Sequence, residues 1–275
     1  MRLAEFITER TQWERNKDVQ HDQIFTRPEV ASQFAQWVKA RTKDATRTIE
    51  PSAGDGSILK HFPGAIAYDL QPRGTGITQA DWFTTQHERG EKTLVVGNPP
   101  FGRGGHLAAQ FINHAAPFAD YIAMILPRTF RKESVQNKIS LDFALADEYI
   151  LPKNSFYLPH EGDAKTPYDV PCVAQLWVRK ARQKAPKATS EYIQFVQPGE
   201  GDIAILYKGR RAGDIFNVQQ AMPRANSFIF IKILKDKDRV LQALKTADWS
   251  DIKTNTVGAY SLSRNEIVQK LNSML

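Results

Sequence analysis

The chain has 275 residues, of which 41% are hydrophobic and 24% are charged, the composition of an ordinary globular protein. No run of 18 apolar residues occurs, so we expect no membrane span, and the charged stretch from Met1 to Arg15 lacks the apolar core of a signal peptide. A single cysteine, Cys172, excludes an internal disulfide and a multi-cysteine zinc site, and its apolar surroundings predict a buried, inert thiol. These features predict a cytoplasmic protein.

The net charge of +7 is concentrated in the last third of the chain. Residues 181–275 contain 15 Lys and Arg and 9 Asp and Glu, so they carry +6 of the total, whereas residues 1–180 are almost neutral. A basic segment attached to a near-neutral one is the electrostatic pattern expected of a protein that binds a polyanion. We therefore expect nucleic acid as a partner, and neither a membrane nor a metal.

From about Phe25 to Lys180, apolar strand-like runs alternate with helix-like stretches. The predicted strands are Arg47–Glu50, Ala65–Tyr68, Thr93–Val96, Tyr121–Leu126, Glu148–Leu151 and Val170–Val178. The predicted helices are Pro28–Arg41, Ser57–Phe62, His106–Phe118 and Arg131–Asp142. This alternation predicts an α/β fold, with a Rossmann-like, mostly parallel sheet and helices on both faces.

The two ends of the chain have a different character. Residues 1–24 are polar with scattered aromatics and are predicted to be an N-terminal arm, before a main domain at 25–182. A polar, proline-containing linker at Lys180–Ser190 leads to a small α+β module at 190–275. Its predicted strands are Tyr192–Val196, Ile203–Tyr207 and Phe228–Leu234, and its predicted helices are Asp238–Thr246 and Ser263–Leu271.

The sequence Asn98-Pro99-Pro100-Phe101 directly follows the predicted strand at Thr93–Val96. Two prolines fix the local backbone, so the carbonyl groups here point in set directions. The Asn98 side-chain oxygen and the Pro99 carbonyl can each accept a hydrogen bond from a planar amino group. Phe101 can stack on the ring that carries this group. A tight turn leaving a strand is the competing interpretation.

A glycine-containing turn, Glu50-Pro51-Ser52-Ala53-Gly54-Asp55-Gly56, ends the first predicted strand. Its glycines permit a tight turn and close approach of a ligand, but Leu59 stands where a dinucleotide fingerprint needs a third glycine. Asp69 follows Glu50 by 19 residues, which is about the spacing at which a carboxylate reaches ribose hydroxyls. The segment Asp81-Trp82-Phe83 then offers an acceptor for an adenine amino group and apolar faces for its ring.

These motifs, together with Phe25-Thr26-x-Pro28-Glu29-Val30, occur in an order that resembles the S-adenosylmethionine-dependent N6-adenine (amino) methyltransferases. The order is similar to that of their gamma group, in which the cofactor motifs come first and the target-recognition region comes last. The resemblance covers roughly residues 20–180. It implies a methyltransferase that uses S-adenosyl-L-methionine, and it leaves open an associated restriction or regulatory partner. The module at 190–275 is short for a restriction-type recognition domain.

The resemblance also implies roles for individual residues of the cofactor site. Thr26 would contact the methionine end of the cofactor, and Glu50 would face its ammonium group. Asp69 would hold the ribose, and Asp81 with Trp82 would hold the adenine. The loop that surrounds the cofactor would be shaped by Pro51, Gly54 and Gly56.

On the target side, the resemblance implies that Asn98, Pro99 and Pro100 hold the amine and that Phe101 stacks on the base. Phe replaces the commoner Tyr at position 101. Leu151-Pro152-x-x-Ser155-Phe156 resembles a later family segment whose aromatic packs the other face, so Phe156 is the expected partner and Tyr157 the alternative. A duplex hides its base atoms, so the chemistry implies base flipping.

Two basic segments lie outside these motifs. Arg103, in the loop Gly102-Arg103-Gly104-Gly105, is predicted to lie near a substrate phosphate, with a plain loop as the alternative. Lys208, Arg210 and Arg211 are predicted to follow a phosphate backbone, with a solvated hairpin turn as the alternative. The six histidines lack metal-ligand spacing.

The function predicted from the sequence is therefore DNA adenine-N6 methylation. The same four residues would serve an RNA adenine methyltransferase, and a protein-glutamine methyltransferase would also present a planar amide, although the basic last third disfavours it. A non-catalytic nucleic-acid-binding subunit and a cytosine-N4 methyltransferase are further alternatives.

Overall fold

The computed structural model describes residues 24–158, 167–256 and 260–275 of the chain. These residues form two compact units, which divide between Gln183 and Lys184, inside the predicted linker. The predicted arm at residues 1–24 lies outside the described residues, apart from Ile24.

A seven-stranded sheet organises the first unit, in the spatial order β4-β3-β2-β5-β6-β10-β7. Its strands are β2 (Arg47–Glu50), β3 (Ile66–Asp69), β4 (Thr78–Gln79), β5 (Thr93–Gly97), β6 (Tyr121–Pro127), β7 (Phe143–Ile150) and β10 (Cys172–Arg179). The first four neighbouring pairs are parallel, whereas β10 is antiparallel to both β6 and β7. The sheet is therefore mixed but mostly parallel, which confirms the predicted fold class.

Buried side chains alternate between the two faces of the central strands. In β5, Leu94 and Val96 belong to the core that lies against helix α1 (Pro28–Arg41), whereas Val95 belongs to the core against helix α2 (His106–Ala115). All five residues of β5 are buried, as expected of a parallel strand covered on both faces. Helix α1 begins with a proline and carries Glu29 in its first turn, both of which favour a helix start.

The predicted helix at Arg131–Asp142 is wrong. The chain instead forms a 3₁₀ turn at Arg128–Arg131 and a short helix α3 (Glu133–Gln136), and it enters β7 at Phe143, five residues before the predicted strand. Strand β7 pairs with β10 from Phe143 to Ile150 with a bulge at Ala146, and Phe143 is fully buried. Long-range pairing and burial therefore extend the strand beyond the run that its local pattern predicted. Similarly, the predicted helix at Ser57–Phe62 contains only a 3₁₀ turn, Leu59–His61.

A second, small sheet joins distant parts of the first unit. Strand β1 (Phe25–Thr26) is antiparallel to β8 (Phe156–Tyr157), and β8 is antiparallel to β9 (Pro167–Tyr168). In this pairing Phe25 lies opposite Tyr157, and Thr26 opposite Phe156. The sheet therefore brings the start of the described chain to the segment that follows β7.

The second unit is an antiparallel sheet with its own helices. Its strands have the spatial order β11-β14-β12-β13, with β11 at Ile193–Val196, β12 at Ile203–Leu206, β13 at Ile215–Phe216 and β14 at Phe228–Ile233. The helices are α4 (Val218–Ala221), α5 (Lys237–Thr246) and α6 (Arg264–Asn272). Ser263 and Glu266 form a capping box that fixes the start of α6.

Candidate active site

A cavity of about 1070 Å³ opens at the carboxyl edge of the main sheet. Glu50 is the last residue of β2, Asp69 is the last of β3, and Asn98 directly follows β5. Because β2, β3 and β5 are parallel neighbours, all three side chains come to one edge, where ligands bind in sheets of this type. The predicted cofactor residues that line the cavity are Thr26, Glu50, Pro51, Gly54, Asp69, Asp81 and Trp82. The predicted target-side residues that line it are Asn98, Pro100 and Arg103.

The amide of Asn98 is held by strand β1 and by the residue directly before it. Its Nδ2 donates to the carbonyl oxygen of Ile24 and to Oγ1 of Thr26, each at 3.3 Å. A carbonyl can only accept, so the contact with Ile24 requires that the NH2 group face β1. The opposite atom, Oδ1, is buried and has no hydrogen-bond partner among the described residues. Asn98 therefore brings an unused acceptor to a cavity wall.

Glu50 is 1% exposed, and its Oε2 also has no hydrogen-bond partner among the described residues. Burial raises the pKa of this carboxyl well above its usual value, and the nearby carboxylates of Asp55 and Asp69 raise it further. An unpaired buried carboxylate is costly unless a cation accompanies it. The site therefore has the chemistry expected for a ligand that carries a positive charge.

Phe25 and Asp69 hold the turn after β2. Gly54 has φ of +54°, and a Cβ atom there would lie 2.7 Å from Cε1 of Phe25, so only glycine fits without strain. The backbone N–H of Gly54 donates to Oδ2 of Asp69 at 2.7 Å, while Oδ1 of Asp69 accepts from the N–H of Gln71 at 2.8 Å. Gly56 also has positive φ, but it shapes the turn without lining the cavity.

At another part of the cavity wall, Asp81 caps a short 3₁₀ turn, Trp82–Thr84, by accepting at Oδ1 from the N–H of Phe83 at 3.1 Å. Trp82 is 1% exposed, and its Nε1 donates to the carbonyl oxygen of Phe111 at 3.2 Å. Trp82 is thus mainly a core residue with a small contribution to the wall. Phe83, which is less buried, is the better placed aromatic face on this turn.

Phe101 and Phe156 do not lie where the sequence predicted. They are 6% and 0% exposed, and both pack in the core beside α1, outside the cavity lining. A stacking role needs a ring face open to the ligand, and neither ring has one here, because the apolar core takes up both faces. The alternative, Tyr157, donates its hydroxyl to Oδ2 of Asp55, and its ring centroid lies 5.5 Å from that of Phe25. Pro99 is buried and is likewise not part of the lining.

The cavity also includes residues that the sequence did not single out. Helix α2 contributes a wall to which His106 and Gln110 belong, next to the predicted Arg103 in the loop before the helix. Arg103 is exposed, within a loop whose three glycines all have positive φ. The signal for this wall was the spacing of positions 106 and 110 in the predicted helix, since residues four apart share one helix face. Lys138 lines the cavity from after α3, with no comparable sequence signal.

The basic segment of the second unit lies in the connection between β12 and β13. Lys208, Arg210 and Arg211 are all exposed. Arg211 forms an ion pair with Asp214 at 2.6 Å, and the carbonyl oxygen of Arg210 accepts from Nζ of Lys253 at 3.0 Å. The three cations are therefore presented on one turn whose backbone is held in place.

Within the described ranges, no three His, Cys, Asp or Glu side chains are grouped so that they could hold a metal ion. In the same part of the chain, every helix is too short or too polar to span a bilayer.

Residues 66–191 match the family model described as the EDM2 methyltransferase-like domain. This part of the chain is similar to a methyltransferase-like domain. Protein ENHANCED DOWNY MILDEW 2 of Arabidopsis thaliana is 35% identical to the chain over 99 residues. That match covers 34% of this chain and 8% of the plant protein, so it relates one domain and not two whole proteins.

Solved structures of methyltransferases overlap with the chain in part. A candidate RNA methyltransferase from Pyrococcus horikoshii is 16% identical, covering 60% of this chain and 91% of its own, with a TM-score of 0.45. A candidate class I S-adenosylmethionine-dependent methyltransferase from Listeria monocytogenes is 13% identical, covering 63% and 65%, with a TM-score of 0.43. The methyltransferase subunit of a type I restriction-modification system from Streptococcus thermophilus is 13% identical, covering 58% and 45%, with a TM-score of 0.41. Similarity at this level says nothing about the substrate.

Proposed function

We propose that this protein is an S-adenosyl-L-methionine-dependent methyltransferase that transfers a methyl group to N6 of adenine in DNA. The observation that carries the proposal is that Asn98, whose Oδ1 is an unused acceptor, and Glu50, whose Oε2 is unpaired, line the same cavity. Asn98 can accept a hydrogen bond from an amine, and Glu50 can pair with a cation. A methyl donor with an ammonium group and an acceptor amine together satisfy both.

The cofactor would be held by the wall formed by β2, β3 and the Asp81 turn. Glu50 would pair with its ammonium group, which relieves the cost of the buried charge. Asp69 already accepts two backbone N–H groups, yet each of its oxygens retains a lone pair for a ribose hydroxyl. Asp81 and Phe83 would meet the adenine. The bound cofactor would supply a methyl group on a sulfonium, whose sulfur keeps the electron pair of the broken bond and leaves as a neutral thioether.

The target amine would be activated by a hydrogen-bond acceptor. The lone pair of an adenine amine is delocalised into its ring, so the free amine is a poor nucleophile. When Oδ1 of Asn98 accepts one of its hydrogens, a pyramidal nitrogen is favoured and electron density returns to it. Because β1 holds the Asn98 amide in place before the substrate arrives, this stabilisation needs little reorganisation during the reaction. Proximity of the amine to the methyl group supplies the rest.

The nucleic acid would be held by cations. Arg103 is exposed at the cavity, next to the Asn98 motif, where it can contact a phosphate beside the flipped base. Lys208, Arg210 and Arg211 of the second unit would contact the phosphate backbone without reading sequence. DNA is proposed over RNA because the motif order resembles the gamma group of the amino-methyltransferases. The experiment below distinguishes methylation of adenine in DNA from methylation of RNA, of protein and of cytosine.

The test uses tritiated S-adenosylmethionine with duplex DNA, single-stranded RNA and a glutamine-containing peptide as separate acceptors. We expect label in DNA and its recovery as N6-methyldeoxyadenosine after digestion. Label found only in RNA, only in peptide or as N4-methyldeoxycytidine would contradict the proposed substrate. No label in any acceptor would contradict the proposed activity.

The matched variants are Asn98→Ala and Asn226→Ala, the second at an exposed position in the other unit. Loss of one preorganised hydrogen-bonding group typically costs about 10²–10³ in kcat. Asn98→Ala should lose activity by about this factor while binding S-adenosylhomocysteine by calorimetry about as tightly as the wild type, and Asn226→Ala should retain activity. Equal loss of binding and catalysis in Asn98→Ala would assign the residue a structural role only.

A further inference from the structure

Thr26 stands between the proposed cofactor site and the amide of Asn98. It is 3% exposed, yet it lines the cavity. Its Oγ1 accepts from Nδ2 of Asn98 at 3.3 Å, and within the described residues its hydroxyl has no second hydrogen-bond partner. A hydroxyl has one hydrogen to donate as well as two lone pairs. With the oxygen engaged by Asn98, the O–H hydrogen of Thr26 is still available to a ligand.

The chemistry of the proposed cofactor indicates what this hydrogen would meet. The amino-acid end of S-adenosylmethionine carries an ammonium group and a carboxylate on the same carbon. If the ammonium group pairs with Glu50, the carboxylate must lie close by, in a region where Glu50, Asp55 and Asp69 supply negative charge. It therefore needs a donor, and the Thr26 hydroxyl is a donor on the same cavity wall.

We infer that Thr26 couples cofactor binding to the orientation of the Asn98 amide, an inference that rests on the proposed function. The bound carboxylate accepts the hydroxyl hydrogen of Thr26. The hydroxyl oxygen then faces Asn98 with a lone pair and accepts from Nδ2. Oδ1 of Asn98 is thereby kept toward the target amine. Thr26 is thus a positioning residue for Asn98 in addition to a cofactor contact.

The coupling follows from the two ways in which an amide can face a hydroxyl. Without cofactor, the Thr26 hydroxyl can either accept from the NH2 group or donate to Oδ1, so only the Ile24 carbonyl opposes a flipped amide. In a flipped amide, the NH2 group of Asn98 would face the hydrogens of the target amine, and two donors cannot form a hydrogen bond with each other. Once the hydroxyl donates to a carboxylate, only the productive orientation is paired at both contacts. Hydrogen bonds in such a chain also polarise and strengthen one another.

The surrounding structure links the position of Thr26 to the turn after β2, which belongs to the proposed cofactor site. Its backbone pairs with Phe156 in the small sheet, next to the pair formed by Phe25 and Tyr157. Phe25 packs against the Gly54 turn, and Tyr157 donates its hydroxyl to Asp55 on the same turn. A movement of the cofactor turn is therefore transmitted to Thr26 of β1 and to Ile24 directly before it, which supply the two acceptors for the Asn98 amide.

The first experiment measures hydrogen exchange of the Asn98 side-chain NH2 by NMR in protein labelled with ¹⁵N-asparagine, with Asn98→Ala to assign the signal. S-adenosylhomocysteine is the probe, because it keeps the carboxylate and has no methyl to transfer. In the wild type and in Thr26→Ser, we expect saturating probe to slow exchange by about tenfold, the factor of one neutral hydrogen bond. In Thr26→Val, exchange should be faster and should not respond to the bound probe. An unchanged response in Thr26→Val would overturn the inference.

The second experiment measures single-turnover methylation of DNA over a range of cofactor concentrations. At saturating cofactor, Thr26→Val should remain about tenfold slower than the wild type, whereas Thr26→Ser should restore the rate. If high cofactor concentration alone restores Thr26→Val to the wild-type rate, Thr26 is a cofactor contact only and the inference fails. The exchange measurement needs no nucleic acid. If the wild type methylates no acceptor, the proposed function is refuted. If the exchange of the Asn98 signal still responds to the probe in a way that depends on Thr26, the coupling is nevertheless supported.

Discussion

Gly54→Ala tests whether the turn after β2 is shaped for a ligand or is simply a turn. The substitution adds one methyl group at a residue with φ of +54°, and its Cβ would lie 2.7 Å from Cε1 of Phe25. The matched control is Gly64→Ala, on an exposed turn of the same unit, where φ is +79° and no heavy atom lies within 4 Å of the added Cβ. Both variants carry the backbone strain, but only Gly54→Ala carries the clash.

The structure gives the expected size of each effect. A non-glycine residue in the left-handed region costs about 1–2 kcal/mol, so this is the loss of unfolding free energy expected for Gly64→Ala. Overpacking adds about 1–3 kcal/mol at Gly54. Phe25 cannot yield easily, since its ring packs against Tyr157 on one side and lies 5.5 Å from the guanidinium of Arg73. We therefore expect Gly54→Ala to lose about 2–5 kcal/mol.

Thermal unfolding and calorimetry with S-adenosylhomocysteine measure the two consequences. In a unit of this size, each kcal/mol lowers Tm by about 2–4 °C, so Gly54→Ala should melt below Gly64→Ala. Displacing Phe25 also moves the N–H that Gly54 donates to Asp69, so binding should weaken in Gly54→Ala and stay at the wild-type level in Gly64→Ala. Equal Tm and equal binding in the two variants would refute the argument that Phe25 fixes this turn for a ligand.

Two further predictions concern charge. Burial raises the pKa of Glu50 in the folded protein above its unfolded value, so ligand-free stability is lost as pH rises from the unfolded pKa through the folded one. Glu50→Gln should therefore raise Tm relative to the wild type more at pH 8 than at pH 5 while weakening S-adenosylhomocysteine binding; a Tm difference independent of pH would contradict the assigned burial cost. Replacing Lys208, Arg210 and Arg211 by Gln should reduce the salt dependence of duplex binding by a log–log slope of about 3 if each contacts one phosphate. The control replaces three exposed lysines of the other unit, Lys43, Lys60 and Lys180, and an equal reduction there would show that net charge alone is responsible.

Much of the main sheet could be predicted from the sequence. β2, β3, β5 and β6 lie within two residues of their predicted bounds. For β5 and β6 the reason is that buried parallel strands are continuous apolar runs. Glu50 and Asn98 could therefore be placed at strand ends, and parallel strands bring such ends to one edge. The start of β7 was predicted five residues too late, because its first residues are held by a long-range pairing to β10 that local sequence does not contain.

The sequence by itself determined which chemical groups the site has: an amide, a glycine turn and three carboxylates. Only the tertiary structure decided what each group does with its neighbours. β1 meets Asn98 across 72 residues of sequence and leaves Oδ1 as its unused atom, while the core beside α1 draws in Phe101 and Phe156. The physical reason is that residue type fixes the donors, acceptors and apolar surface available, whereas packing between distant segments decides which of them are used internally and which remain for a ligand.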